Sequence, residues 1–198
     1  MGQKRHRFRL FPFFIVAAIP LCVLTTSPVA TSGQNLATGL DGKPVDPFRV
    51  ARGKVVVLIF VRTDCPISNR YAPAIQQLSA KNAGNAEFFL VYPSKKETAD
   101  TIRKHEQEFG YKLSALRDPR HILVKQSMAQ ITPEAAVFGT DRQLVYHGRI
   151  DNLYEDFGHA RKSATTHELA DAIEAAIAGK TLSSSATPAV GCYISDLE

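Results

Sequence analysis

Cysteine is scarce in this sequence, with three residues among 198. One of them, Cys22, falls in the N-terminal segment, so only Cys65 and Cys192 remain for the body of the chain. That scarcity leaves room for at most one disulfide there, and only folding could bring two such distant cysteines together. Two thiols in an oxidising compartment tend to pair or to carry out redox chemistry.

The body of the chain also lacks an excess of charge. The formal charge of the whole sequence is +5, and four of the basic residues lie in the first 32 positions, where there are no acidic residues. They leave 20 of the 24 basic residues against 19 acidic ones. A nearly neutral body lacks the excess of basic residues that is typical of nucleic-acid-binding surfaces, so we expect no nucleic-acid partner. The composition, 44% apolar, suits one globular domain with a sizeable core.

Residues 1–32 are predicted to be a targeting segment. The basic stretch Lys4–Arg9 precedes an apolar stretch from Leu10 to about Leu24, the order found in secretory signal peptides. The apolar stretch is interrupted by two prolines and is short for a membrane span, which needs about 20 residues. Either a cleaved signal peptide or an uncleaved anchor in the inner membrane fits this pattern. In both cases we expect an extracytoplasmic protein, periplasmic or secreted, because disulfides persist in such compartments.

The body is organised around a strand that delivers a cysteine to the start of a helix. Val55–Val61 is continuously apolar, which is typical of a strand buried on both faces. A short polar turn leads to Cys65 and Pro66, and a helical pattern follows. Free N–H groups at a helix N-terminus stabilise an anion, so the thiol of Cys65 is expected to lose its proton easily. We therefore predict that Cys65 is a redox-active nucleophile.

Strands and helices alternate along the rest of the body. The apolar patterns predict a strand at Ala86–Tyr92, a helix at Thr98–Phe109, a short strand at Leu113–Leu116, a helix at Pro119–Gln126 capped by Asp118, a hairpin of Glu134–Gly139 and Gln143–Ile150, and a helix with a capping box at Thr165 and Glu168 that ends at Gly179. This order predicts an α/β fold with a central mixed sheet and helices on both faces. We expect the domain to span residues 33–182. Residues 183–198 would form a tail that is flexible at Ser183–Pro188, while its apolar end, with Cys192, packs back on the body.

Several residues at these junctions resemble the thioredoxin-like superfamily. Its members carry a C-x-x-C-x-x-x-A-P pattern at this strand-to-helix junction, matched here by Cys65, Ser68 and Ala72-Pro73. They also have a cis-proline before the strand of the late hairpin, matched by Thr132-Pro133, and a glycine after that hairpin, matched by Gly148. The extra strand and helix in the middle of the chain are similar to those of the peroxiredoxin-like (AhpC/TSA) or redoxin branch. The resemblance implies a thioredoxin-like fold with a redox site at the cysteine.

The sequence departs from that pattern at several positions. Ser68 makes this a C-x-x-S site, so the usual disulfide between neighbouring cysteines cannot form. Asp64 stands where a tryptophan commonly precedes the cysteine, and Ile59 replaces the buried acid of thioredoxins. Peroxiredoxins have Thr or Ser three residues before their cysteine, where this chain has Arg62, with Thr63 one position later.

The resemblance implies roles for a small set of residues. Cys65 would be catalytic, and substrate would bind around Thr63, Ser68, Arg70, Thr132 and Pro133. Apart from the resemblance, a lone second cysteine in an exported chain makes Cys192 either a second catalytic, resolving cysteine or an idle thiol on the tail. The Cys65 thiolate would attack a disulfide or a peroxide, and Cys192 would then close an intramolecular disulfide. The implied partners are a thiol or disulfide protein or a peroxide, an external thiol reductant and, through residues 1–32, the membrane. No cofactor is expected.

Charged residues beside the cysteine have opposing expected effects. An adjacent carboxylate at Asp64 would raise the pKa of the thiol, but the preferred interpretation is that Asp64 caps the helix. Arg62 and Arg70 would either stabilise the thiolate or be solvated surface charges.

Two alternative functions remain open. Copper-delivering thioredoxin-like proteins bind metal through two cysteines and a distant histidine, and Cys65, Cys192 and either His147 or His159 would supply such a soft site. The histidines lack the i,i+4 and C-x-x-H spacings of metal sites, which favours surface or hydrogen-bonded histidines. The other alternative is a redox-inert interaction domain, since a fold does not specify a function.

Overall fold

The strand predicted at the centre of the sequence pattern is also central in the observed sheet. The computed structural model describes residues 1–2 and 36–195, and the elements below belong to the compact unit Ser32–Glu198. The strands are β1 (Ala37–Gly39), β2 (Pro44–Val45), β3 (Val55–Phe60), β4 (Ala86–Tyr92), β5 (Ser114–Arg117), β6 (Ile131–Thr132), β7 (Glu134–Phe138), β8 (Leu144–Gly148), β9 (Tyr154–Asp156), β10 (His159–Ala160), β11 (Ala186–Thr187) and β12 (Cys192–Tyr193). The helices are α1 (Pro47–Val50), α2 (Pro66–Arg70), α3 (Ala72–Asn82), α4 (Ala99–Glu108), α5 (Ile122–Ser127) and α6 (Glu168–Ala178).

Eight of these strands form one mixed sheet in the order β11-β8-β7-β3-β4-β5-β1-β2. The β3 strand pairs in parallel with β4 and antiparallel with β7, and β7 and β8 form the predicted hairpin. The prediction of a mixed sheet is confirmed. Apart from residues 1 and 2, the predicted targeting segment lies outside the described residues. No helix in the described part of the chain is long and apolar enough to cross a membrane.

Alternate residues of β3 belong to two separate cores, one on each face of the sheet. Val57 and Ile59 lie in the core that contains the buried side chains of α2, α3, α4 and α6. Leu58 and Phe60 lie in the core that contains those of α5 and the C-terminal end of α1. Each fully buried aliphatic side chain contributes about 1.5–3 kcal/mol, so both faces need covering, and the prediction of helices on both faces is confirmed.

Two predicted helix starts are wrong, and for the second a side chain from another part of the chain binds the predicted capping residue. The α5 helix begins at Ile122 rather than Pro119, although the Asp118 carboxylate still accepts from the N–H groups of its first turn. The α6 helix begins at Glu168, so the capping box with Thr165 does not form. The Thr165 N–H donates instead to the Asn152 side chain at 2.7 Å.

The C-terminal residues are part of the fold. Within Ser183–Pro188, which the composition predicts to be flexible, β11 adds an edge strand parallel to β8. The expectation that the apolar end packs back is confirmed, since Ile194 is buried in the core on the α5 face. The prediction failed for Ser183–Pro188 because a segment of small polar residues can pair through its backbone without any apolar pattern.

The glycine that ends the hairpin, Gly148, permits this edge strand to approach. Its φ is +142°, and a Cβ there would lie 2.3 Å from the carbonyl oxygen of Thr187. Gly158 also has a positive φ, +103°, but a Cβ there would meet nothing within 4 Å. A Cβ at either position would strain the backbone, but only at Gly148 would it also collide with β11. Comparing substitutions at the two positions therefore separates the effect of backbone strain from that of the collision.

We expect Gly148→Ala to destabilise the protein by about 1–3 kcal/mol more than Gly158→Ala, because only the first substitution adds an overlap with backbone atoms. Urea unfolding measures the difference in stability. Limited proteolysis should show faster cleavage near residues 183–190 in Gly148→Ala alone. Equal effects of the two substitutions would show that β11 does not depend on the space at Gly148.

Candidate active site

Cys65 lies where the chain leaves the central strand and enters α2. It is the N-cap residue of that helix, and its side chain is 0% exposed. The prediction that Asp64 caps the helix is wrong. Its carboxylate forms an ion pair with Arg62 at 2.8 Å, so the charge on this loop is partly neutralised.

A second loop approaches Cys65 from the late hairpin. The Thr132-Pro133 peptide bond is cis, as predicted. The carbonyl oxygen of Thr132 lies 3.1 Å from Cys65 Sγ, which donates to it when the thiol is protonated. Thr132 is itself fully buried, so the cysteine is enclosed between the two loops.

The C-terminal segment brings the second cysteine to the same place. Cys192 pairs with Thr132 in the antiparallel β6-β12 ladder, and the Thr132 hydroxyl donates to the Cys192 carbonyl at 3.2 Å. Gly191 is essential to this approach, since a Cβ there would lie 2.1 Å from the Thr132 carbonyl oxygen. The Ile194 N–H donates to Gln130 at 2.9 Å, which holds the end of the segment.

The two thiols lie close enough to shift each other's pKa, and the net shifts are opposite. Burial raises the pKa of the Cys65 thiol, but hydrogen bonds from Cys192 and Ser68 outweigh burial, and the net pKa lies below the ordinary value of 9.0. Burial and the adjacent Cys65 raise the pKa of the Cys192 thiol to about 12. The pair therefore favours a thiolate on Cys65 and a proton on Cys192.

The other predicted site residues differ in how close they lie to the sulfur. Ser68 is fully buried and lies close enough to lower the pKa of Cys65, although its hydroxyl makes no hydrogen bond of normal geometry with the described residues. Thr63 contributes hydrogen bonds of its backbone N–H and carbonyl groups to the loop beside Cys65. Arg70 is exposed at the end of α2, and no hydrogen bond or ion pair joins its side chain to another residue in the described ranges.

Side chains that the sequence analysis missed hold both backbone polar groups of Thr63. The Glu97 carboxylate accepts from the Thr63 N–H at 2.7 Å, and the Asn69 amide donates to the Thr63 carbonyl at 3.2 Å. Behind Asn69, its Oδ1 is 2.9 Å from His105 Nε2, and His105 Nδ1 is 2.9 Å from the Tyr92 hydroxyl. Burial lowers the pKa of His105, so the neutral ring accepts from Tyr92 and donates to Asn69.

Glu97 could have been suspected from the topology. It follows β4, which is parallel to β3, so the loops after both strands meet at one edge of the sheet. Burial raises the pKa of its carboxyl, and its Oε2 atom is buried without a hydrogen-bond partner among the described residues. Nothing local in the sequence distinguishes it from the surface charges of Lys95 and Lys96 beside it.

A second buried glutamate holds the other loop. Glu134 Oε2 accepts from the backbone N–H groups of Gln130 at 2.8 Å and Ile131 at 3.1 Å. Its other oxygen contacts His147 Nδ1 at 3.3 Å. Each of the two loops around Cys65 is thus held by a glutamate carboxylate that the sequence did not mark as part of the site.

The histidines considered for copper lie with acidic partners. His147 contacts Glu134, and His159 contacts Asp156 at 2.5 Å. Within residues 36–195, no group of three or more histidine, cysteine or acidic side chains is arranged to hold a metal ion.

The mixed sheet, the cysteine at a strand-to-helix junction and the cis-proline loop opposite it define a thioredoxin-fold protein. The chain belongs to the Redoxin family, whose model matches residues 24–161. A comparison with curated proteins found no match.

Solved structures share the fold at low sequence identity. A hypothetical protein from Sinorhizobium meliloti is 22% identical, with a TM-score of 0.69 over 80% of this chain and 88% of its own. A secreted Mycobacterium tuberculosis disulfide oxidoreductase is 20% identical, with a TM-score of 0.50 over 70% and 93%. A putative protein disulfide isomerase from Bacteroides thetaiotaomicron is 16% identical, with a TM-score of 0.53 over 72% and 84%. At these identities the likeness establishes the fold alone.

We expect Glu97→Ala to lower the free energy of unfolding by about 1–3 kcal/mol, because the Thr63 N–H would lose its acceptor in a buried loop. Glu97→Gln keeps an acceptor oxygen and should lose less. Glu106→Ala, at a half-buried glutamate of α4 that makes no hydrogen bond to the loop, is the matched control. Urea unfolding of the three variants measures the effect.

The Glu97 variants should also change how the stability of the protein depends on pH. A carboxyl whose pKa is raised by folding favours the folded state when protonated, so this stabilisation is lost as the pH rises from the ordinary value of 4.5 through the folded pKa. Glu97→Gln should lack that component of the stability profile. An unchanged profile would show that Glu97 does not titrate as its burial requires.

We expect Gly191→Ala to displace β12 from β6, because the added methyl group would overlap backbone atoms of Thr132. Overpacking costs about 1–3 kcal/mol, which lowers the ratio of docked to undocked segment roughly 5- to 150-fold. The rate of Cys65–Cys192 disulfide formation should fall, at most by that factor. Gly84→Ala, where a Cβ meets nothing within 4 Å, should leave that rate unchanged.

Proposed function

We propose that this Redoxin-family protein is a thiol–disulfide oxidoreductase in which Cys65 is the redox nucleophile and Cys192 the resolving cysteine. The observation that carries the proposal is the placement of Cys192 opposite Thr132, whose carbonyl oxygen lies 3.1 Å from Cys65 Sγ. A C-x-x-S site lacks a resolving cysteine in its own helix, and the C-terminal segment supplies one.

The proposed chemistry needs an oxidant and yields one intramolecular disulfide. The Cys65 thiolate attacks a peroxide oxygen to form a sulfenic acid and release an alcohol or water, or it attacks a disulfide to form a mixed disulfide and release a thiolate. The Cys192 sulfur then attacks Cys65 Sγ, gives up its proton and displaces water or the second thiol. Both routes remove two electrons from the protein and end in the Cys65–Cys192 disulfide.

The surroundings of Cys65 favour a small oxidant. Its side chain is 0% exposed, so a protein disulfide could reach the sulfur only if the surrounding segments moved. In this proposal Thr63, Ser68, Thr132 and Pro133 shape the space around the sulfur. A substrate-binding role for Arg70, which is exposed, stays a prediction.

We further propose an extracytoplasmic location, with residues 1–32 as signal peptide or membrane anchor. The order of basic and apolar residues in that segment supports this proposal. A disulfide between two free cysteines also persists more readily in an oxidising compartment. One structural neighbour is described as secreted, which agrees with the proposal without extending to this chain.

The test treats the reduced full chain with one equivalent of hydrogen peroxide or of oxidised glutathione. We expect loss of the Cys65 and Cys192 thiols together and a Cys65–Cys192 link in the peptide map. The faster oxidant identifies the substrate class. Cys192→Ser should stop at a sulfenic acid or a mixed disulfide on Cys65. Cys65→Ser should react slowly, because burial still raises the pKa of the remaining Cys192 thiol and keeps it protonated.

Either of two results would contradict the proposal. If neither oxidant produces the link, or if Cys65→Ser reacts as fast as the natural chain, then Cys65 is not the redox nucleophile. The redox-inert interaction domain would then be the better interpretation.

A further inference from the structure

Arg62 links the loop before Cys65 directly to the segment that carries Cys192. Its backbone carbonyl accepts from the Cys65 N–H at 3.3 Å, so Arg62 belongs to the turn that holds the first cysteine. Its side chain extends to the other segment, where Nη1 donates to the carbonyl oxygen of Tyr193 at 3.4 Å. Tyr193 directly follows Cys192 in β12. One arginine therefore contacts the backbone beside both cysteines.

Two contacts hold the guanidinium group of Arg62 in this position. Besides the bond to Tyr193, its Nη2 donates to the Asp64 carboxylate at 2.8 Å, and the side chain is only 26% exposed. Its Nε atom is buried and has no hydrogen-bond partner among the described residues. A buried N–H without a partner costs free energy, and an apolar side chain would avoid that cost. The contacts of the other two nitrogens are therefore what this arginine contributes.

The charge of Arg62 affects the second cysteine. Burial and the adjacent Cys65 raise the pKa of the Cys192 thiol to about 12, Arg62 lowers it, and Asp64 raises it. A positive charge near a thiol stabilises the thiolate, which is the form that attacks. The pKa of Cys65, by contrast, is shifted by burial, Cys192 and Ser68. Arg62 therefore favours the attacking form of Cys192.

The other charged residues near Cys192 are already paired. Cys192 lines a groove whose wall includes Glu155 and Asp156. Glu155 forms an ion pair with Arg161 at 2.9 Å, and Asp156 contacts His159. The balance between Arg62 and its aspartate is therefore the electrostatic influence on Cys192 that a single substitution can change most directly.

We propose that Arg62 is a positioning residue for the second step of the reaction, in which Cys192 attacks the oxidised Cys65. The guanidinium group holds the backbone beside Cys192 through the Tyr193 carbonyl and places a positive charge near its sulfur. The inference rests on the proposed function, because it requires that Cys65 is oxidised first and that Cys192 resolves it. It holds for a peroxide and for a disulfide oxidant alike.

The second step is balanced for both oxidants. The Cys192 thiol gives up its proton, and its sulfur forms a bond to Cys65 Sγ. The bond from Cys65 Sγ to the hydroxyl oxygen or to the oxidant's sulfur breaks, and its electron pair leaves on that atom. The proton ends on the leaving group, which departs as water or as a thiol. Arg62 is chemically unchanged, since it only donates hydrogen bonds.

The experiment measures the two steps separately. The reduced full chain is mixed with one equivalent of hydrogen peroxide or of oxidised glutathione, quenched rapidly in acid and mapped by mass. The time courses of oxidised Cys65 and of the Cys65–Cys192 link give the rate constant of the second step. The first step is measured in the same variants combined with Cys192→Ser, in which the reaction stops at oxidised Cys65.

Arg62→Met keeps the length of the side chain without its charge or its donors. We expect it to slow the second step about tenfold, the effect of losing one hydrogen bond from a charged group, and to leave the first step nearly unchanged. Arg62→Lys keeps the charge and a donor, so it should recover most of that rate.

Arg103→Met is the matched control. Arg103 also bridges an aspartate and a backbone carbonyl, those of Asp100 and Leu40, both at 2.8 Å. These contacts join no part of the chain that carries a cysteine. The control substitution should therefore change neither step.

Asp64→Asn distinguishes an effect on Cys192 from simple bracing of the loop. If Arg62 only braced the loop, loss of its partner would slow the second step. Because the Asp64 charge opposes that of Arg62, we expect its removal to accelerate the second step about twofold, a small effect since Asp64 is 67% exposed. This exposed position also provides a test if Arg62→Met does not fold.

The inference would be overturned by any of three results: a second step that is unchanged in Arg62→Met, one that is not recovered in Arg62→Lys, or one that is slowed in Asp64→Asn. An equal loss of rate in both steps of Arg62→Met would also overturn it, because that would indicate a general structural role. If the natural chain forms no Cys65–Cys192 link with either oxidant, it is the proposed function that fails.

Discussion

The site depends on the backbone of Thr132. Its carbonyl oxygen contacts Cys65 Sγ, its hydroxyl donates to the carbonyl of Cys192, and its backbone pairs with that of Cys192 in the β6-β12 ladder. One buried residue therefore contacts both the sulfur of Cys65 and the backbone of Cys192. Gly191 allows the contact, since any side chain there would occupy the space of the Thr132 carbonyl.

The close approach makes two chemically identical thiols different. Burial raises the pKa of both thiols, but the proximity of Cys192 and Ser68 outweighs burial at Cys65, so its net pKa is lowered while that of Cys192 is raised. This difference persists only if the loops around Cys65 keep their shape. Buried carboxylates on neighbouring elements, Glu97 and Glu134, hold those loops through backbone N–H groups.

Regular apolar patterns made most of the fold predictable. The strand Ala86–Tyr92 agrees with the prediction residue for residue, and the late hairpin agrees within two residues at each end. Predictions that depended on one side chain finding one partner were less successful. Asp64 pairs with Arg62 instead of capping α2, and Thr165 binds Asn152 instead of opening α6. In each case several side chains or backbone groups could have served equally well as the partner. The packing of the fold determined which of them lay near enough to bind.

The sequence by itself determined that a buried strand presents Cys65 at a helix start and that Thr132-Pro133 begins the late hairpin. Both follow from contiguous residues, because strand, turn and helix preferences act over a few positions. Only the tertiary structure decided that Cys192 lies against Thr132 and that Glu97 and Asn69 hold Thr63. These contacts join residues that are distant in the chain. Their geometry depends on how the whole sheet and its helices pack, which no local pattern specifies.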